Sequence, residues 1–184
     1  MKLKEKLQYS LIRYKCARLK EAPFDFPKQM QEENRIIITL PEGIETNSIL
    51  LRMVSELPTL FPTSDLLIVV PIGCTEVARK TGIHAMSPDL YSTNILGLPR
   101  RSFFAKVKGF GATMLIDFET HKNVFNTMVN LWSGAILRIG IAGVWGMPIH
   151  NFQVRSSYIT DELKVYRSLV DVITQIQQGT VVSA

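Results

Sequence analysis

Three short stretches carry side chains that could bind or transform a polyhydroxylated ligand. The first holds Glu42, Glu45, Thr46 and Asn47 around a single glycine, Gly43. The second is Gly73, Cys74 and Thr75, and the third is Asp117, Glu119, Thr120 and His121. Carboxylates, hydroxyls and amides of this kind hydrogen-bond sugar hydroxyls, and a well-placed carboxylate can act as a general base. Glu119 and His121 straddle one position, a spacing that allows acid/base pairing. The plainer alternative is that Thr46, Asn47, Thr75 and Thr120 cap helices while the glutamates are solvated. Cys74 lies near an expected helix start, which can lower a thiol pKa, but a buried inert thiol fits equally simple rules. His84, His121 and His150 lack metal-ligand spacing, so no metal is expected. Trp132 fits a core stripe, whereas Trp145 could stack on a sugar or pack within its loop.

The elements that position these residues alternate. Ile36, Ile37 and Ile38 form an apolar β-branched run that reads as a buried strand over 36–40. A helix over 47–57 follows, carried by Ile49, Leu50, Met53, Val54 and Leu57 and stopped by Pro58 and Pro62. Leu66–Val70 is a second strand, Thr75–Lys80 a short helix ended by Gly82, and 84–98 a loop without clear period. A short helix over 101–108, a third strand over 113–117, a helix over 120–133 and a fourth strand over 136–141 come next. A further strand is possible around Asn151 to Arg155. The last helix runs from Asp161 to Gln177, capped by Thr160 or Asp161 and ended by Gly179. This alternation predicts an α/β Rossmann-like three-layer sandwich with a mostly parallel sheet. The candidate residues then fall at the carboxyl ends of strands, where ligands bind in open α/β sheets. The first junction lacks the glycine repeats that cradle phosphates.

The 184 residues, 46% hydrophobic and 20% charged, suffice for one globular domain with a core. No apolar run reaches the roughly 20 residues that span a bilayer. The N-terminus does not read as a secretory signal, and two cysteines make no disulfide framework, so a cytoplasmic setting is expected. The net charge of +5 is local, since residues 1–21 hold seven basic and two acidic residues while the rest hold 14 of each. That argues against a nucleic-acid surface. Residues 1–21 read as a basic amphipathic helix with a stripe of Leu3, Leu7, Leu11 and Tyr14. Such a helix either lies on an anionic membrane surface or packs on the body with its basic side solvated. Residues 22–34 form a Pro-punctuated connector, 35–179 a single Rossmann-like domain, and 180–184 a frayed tail.

The order of three units resembles glycosyltransferase family 9, the heptosyltransferase-like family. Arg35–Leu40, a turn, an apolar helix leading to Leu60-Phe61-Pro62 and then Leu66–Val70 are similar to its opening. Phe104–Asp117 resembles its helix leading into a "YDLVIDL" strand, and Leu131–Gly140 its "sGA..RIG" segment. The resemblance runs from about Arg35 to Gly140. It implies a GT-B architecture, in which an N-terminal Rossmann-like half binds the sugar acceptor and a C-terminal half binds the nucleotide-sugar donor. This length is expected to hold only the first half. The family's Gly-Asp pair, whose aspartate is the expected catalytic base, falls on Glu45-Thr46, so the carboxylate stands one residue early. Asp117 matches the family's strand-end aspartate, for acceptor contact or for bonding the N–H groups of the following helix.

The resulting expectation is an acceptor-side domain that has no transferase activity alone. It would bind a glycan or lipid-linked sugar acceptor at Glu42, Thr46, Asn47, Thr75, Asp117, Glu119 and His121, with Glu45 as the candidate base. Its partners would be that acceptor, a separate donor-half protein or a second copy, and an anionic membrane surface through residues 1–21, with no nucleic acid. No cofactor is called for. The alternatives are a non-catalytic interaction or oligomerisation module and a small independent enzyme using strand-edge carboxylates.

Overall fold

A computed structural model describes residues 3–19, 23, 25–31, 34–44, 47–89, 94, 96, 98–144, 149–158 and 161–179. Six strands form one sheet: β1 Arg35–Thr39, β2 Asp65–Val69, β3 His84–Met86, β4 Met114–Asp117, β5 Leu137–Ile141 and β6 Phe152–Val154. Their order is β3-β2-β1-β4-β5-β6, and every pairing is parallel. The expected mostly parallel sheet is therefore wholly parallel, and the chain has a Rossmann-like α/β fold. The order reverses between β1 and β4, where Thr39 stands opposite Asp117. Strands buried on both faces need continuous apolar runs, and Ile36, Ile37 and Ile38 have no exposed surface.

Eight helices flank the sheet among the described residues: α1 Leu3–Cys16, α2 Phe26–Gln31, α3 Ser48–Ser55, α4 Leu57–Leu60, α5 Cys74–Thr81, α6 Arg101–Gly109, α7 Val124–Ser133 and α8 Glu162–Gln177. On one face, α3, α5 and α8 cover Ile36, Ile38, Ile68, Ile116 and Ile139. On the other, α1, α6 and α7 cover Ile37, Leu67, Val69 and Leu115. Parallel crossovers of one hand place the helices this way once the strand order reverses.

Several sequence expectations change, beginning with Pro58, which stands in the first turn of α4 rather than ending a helix over 47–57. The connector contains α2, which a proline in the first turn permits, and its Phe26 stacks on Phe152 at 4.5 Å. The loop after Ile83 contains β3, a three-residue edge strand paired to β2. The helix expected over 120–133 starts only at Val124, because Asn123 is its cap and accepts from the Asn126 N–H. Finally, α1 packs on the body through its stripe only at Leu11. Ile12, on the opposite side, is the residue it buries, while Leu3, Leu7 and Tyr14 are exposed and Leu11 is half-buried. Gln8 Nε2 donates to the Leu96 carbonyl at 2.8 Å, and the Lys15 ammonium sits 4.1 Å from the centre of the Trp132 ring.

Candidate functional site

The carboxyl end of β4 sinks its carboxylate into the protein. Asp117 is buried, and its Oδ1 accepts from the Thr39 hydroxyl at 2.7 Å and from the Glu119 N–H at 3.1 Å. Its Oδ2 accepts from Asn130 Nδ2 at 3.0 Å and lies 3.0 Å from His150 Nε2. Asn130 and Asn126 project from α7, one turn apart. Asn126 Nδ2 donates to the Leu40 carbonyl at 2.9 Å and to Glu119 Oε2 at 3.2 Å. Glu119 Oε1 accepts from the His121 N–H at 3.0 Å. Burial pushes the Glu119 carboxyl above its ordinary range, and the negative charge of Asp117 adds to the rise. The His121 N–H, and Asn123 with it, pull the other way.

His150 reaches Asp117 because β5 leaves it room. A Cβ on Gly140 would stand 2.4–2.6 Å from the His150 ring atoms, so no side chain fits there. The buried Arg138 secures the same segment, donating from Nε to the Ile149 carbonyl at 2.8 Å and from Nη1 to the Ala135 carbonyl at 3.0 Å. Asn151 completes the brace, accepting from the Arg138 N–H at 2.8 Å and donating to the Ile136 carbonyl at 2.7 Å. This polar cluster thus anchors both segments that border an open cleft.

That cleft, about 760 Å³, lies at the carboxyl ends of β4, β5 and β6. Its walls offer Thr120, His121, Lys122, Gln153, Arg155 and Ser156, with Ile141, Ala142, Val144 and Val165 as an apolar patch. Arg155, Lys122 and His121 are exposed, and His121 Nδ1 stands 3.4 Å from the Glu162 carboxylate. Beneath the wall, burial pushes the Tyr166 phenol up to about 12, so it stays neutral. Two cations, hydroxyls, an amide and an apolar patch suit a sugar bearing an anionic substituent. No Asp or Glu is among the described residues that line the cleft.

Of the residues expected from sequence, His121 lines this cleft. Asp117 and Glu119 stand behind it, committed to interior hydrogen bonds. Asn47 is the cap of α3, its Oδ1 accepting from the Leu50 N–H at 3.0 Å. Thr75 is exposed in the first turn of α5, whose cap is Gly73, and Glu42 is exposed. Cys74 is half-buried and accepts from the Ser87 hydroxyl at 3.2 Å. Glu45 and Thr46, where the resemblance puts the family's Gly-Asp pair, lie outside the described residues, as do Trp145, Thr160 and residues 180–184. Among the described residues no His, Cys, Asp and Glu cluster could hold a metal ion, and no helix is long and apolar enough to cross a membrane. Arg155 and Lys122 escaped the sequence reading. Their one visible signal was position, Arg155 at the end of a possible strand and Lys122 beside His121.

No family model and no curated protein matches the chain. Its structure is similar to that of the glycosyl transferase family 9 protein from Veillonella parvula DSM 2008, with a TM-score of 0.54 and 11% identity. The match covers 84% of this chain and 44% of that one. At such identity the likeness is one of fold. The chain is thus a Rossmann-like α/β structure spanning under half the length of the glycosyltransferase it matches.

Proposed function

We propose that this chain is the acceptor-side half of a heptosyltransferase-like glycosyltransferase, binding a glycan or lipid-linked sugar acceptor in the cleft beside β4–β6. The donor half is then a separate protein or a further segment. The observation that carries the reading is the cationic and hydroxyl-lined cleft at the carboxyl edge of a sheet whose fold matches a family 9 glycosyltransferase over 84% of the chain. Arg155 and Lys122 take an anionic substituent such as a sugar phosphate, and Thr120, Gln153 and Ser156 take hydroxyls. Glu119 and Asp117 act as positioning residues, fixing the loop that carries Thr120 and His121. A bacterial lipopolysaccharide core is the chemistry that fits, met at the cytoplasmic face of the inner membrane.

An interaction module without a ligand would have its strand edge covered. Here α1 packs on α7, away from that edge, and this supports the binding reading. Calorimetric titration with a phosphorylated heptose-containing oligosaccharide tests it. Losing a charge-assisted hydrogen bond is worth about 1.5–3 kcal/mol, so Arg155→Ala should weaken binding roughly 10- to 100-fold. Removing the phosphate from the ligand should have a similar effect. Equal affinity of Arg155→Ala and the natural protein would overturn the assignment. Nucleotide-sugar turnover by the chain alone, lost in Glu45→Gln, would replace it with an independent enzyme.

A further inference from the structure

The first helix is mounted with most of its apolar row turned outward, since of its four residues Leu11 packs on the body. Leu3 is 74% exposed and Leu7 and Tyr14 are each 50% exposed, although they form the most regular apolar row in the helix. At 100° per residue these three side chains fall within about 40° of arc. Ile12, the residue that attaches α1 to the body, lies on the other side. The contact is fixed by the Gln8 hydrogen bond to Leu96 and by Lys15 over Trp132. The row therefore cannot be turned inward without breaking the docking of the helix.

Cations border the row on both sides. Lys6 and Arg13 project along one flank and Lys4 along the other, all exposed. The Arg18 guanidinium sits 4.2 Å from the centre of the Tyr14 ring. Beside the row a groove of about 590 Å³ runs between α1, α6 and α7, lined by Phe104, Trp132, Arg18 and Arg101 among others. All of the chain's net charge resides in residues 1–21.

We infer that α1 is a docking device for an anionic lipid bilayer: Leu3, Leu7 and Tyr14 insert among the headgroups while Lys4, Lys6, Arg13 and Arg18 meet lipid phosphates. Charge complementarity selects this occupant. A second copy pairing through the same face would set these cations against their own like charges. A nucleic-acid backbone would match the cations but leave the apolar row in water. An interfacial helix needs both halves of this pattern, and the groove gives an acyl chain or headgroup a place beside it.

The test is co-sedimentation of the full chain with vesicles of phosphatidylcholine alone and of phosphatidylcholine with about one third phosphatidylglycerol. Binding is expected only to the anionic vesicles, and it should weaken at high salt. Leu7→Glu should reduce the bound fraction at least tenfold, as should Lys4→Glu combined with Lys6→Glu. These positions are exposed, so an unchanged thermal midpoint will show that the variants remain folded. Equal partitioning onto neutral vesicles, or full binding by both variants, would overturn the inference. So would dimerisation through Leu7 without vesicle binding. The glycan cleft is tested separately: Arg155→Ala should leave vesicle binding unchanged, and Leu7→Glu should leave oligosaccharide binding unchanged.

Discussion

A buried polar cluster and the apolar layers of the sheet are held together by different physics. Beneath α3, α5 and α8 the interior is apolar, from Ile36 and Ile38 through Ile116 to Leu169 and Ile173. Beneath α7 the carboxyl half of the opposite face is polar and buried, built from Thr39, Asp117, Asn126, Asn130 and His150, while the rest of that face is apolar around Ile37, Leu115, Met128 and Val129. An apolar face tolerates small changes of shape at moderate cost. A buried polar cluster tolerates little, because each partner removed leaves others unsatisfied in a low-dielectric interior. The polar cluster is also the part that borders the cleft. Precision is placed where a binding surface needs it, and close apolar packing supports the rest.

The sharpest way to break this comparison is Asp117→Ala. It strands Asn130, His150, Thr39 and the Glu119 N–H together. The expected loss is about 3–5 kcal/mol in urea denaturation, since a buried partner is left uncompensated. Next comes Gly140→Ala, whose new methyl group would collide with the His150 ring. Overpacking of this kind costs about 1–3 kcal/mol, and the displaced ring should lose its bond to Asp117. On the apolar face, Ile38→Val should cost only about 1 kcal/mol. A cost for Ile38→Val above that of Asp117→Ala would reverse the contrast between the cluster and the apolar layers.

The smallest effect concerns pH. Burial raises the Glu119 carboxyl above its ordinary range. In that window the folded state binds more protons than the unfolded state. The contribution of Glu119 is thus fully present below its unfolded value and is lost as pH rises through its raised folded value. Glu119→Gln removes this titration. Relative to the natural protein, the variant should gain stability as pH rises above the ordinary glutamate range, as read from denaturation midpoints. A constant difference across that range would show that the carboxyl is not raised.

The apolar layers were legible in the sequence and the buried polar cluster was not. Ile36–Ile38, Leu67–Val69 and Met114–Ile116 announce buried strands because each strand's own residues meet two apolar layers. His84–Met86 gave no such sign, being three half-exposed residues that become a strand only by pairing with β2. Phe26–Gln31 was hidden by its proline, although that residue stands where a helix accepts one. The stripe on α1 was visible, but the side of the helix that would be buried was decided by Ile12 and by α7. At the site, His121 and Asp117 were found because strand ends are identifiable in a parallel sheet. The bond between Asp117 and His150 spans 33 positions and depends on the missing side chain of Gly140. No local pattern encodes such a contact. Arg155 was missed for a related reason, since a three-residue strand carries it to a cleft shaped by β4 and β5.

The most direct test of the proposed binding role is an NMR titration of the ¹⁵N-labelled chain with a phosphorylated inner-core oligosaccharide. The account predicts saturable shifts concentrated at Thr120–Lys122, Ile141–Val144 and Gln153–Ser156, with Arg155→Ala needing roughly 10- to 100-fold more ligand to reach the same shifts. Shifts centred instead on Ser48–Glu56, or none at millimolar ligand, would contradict it.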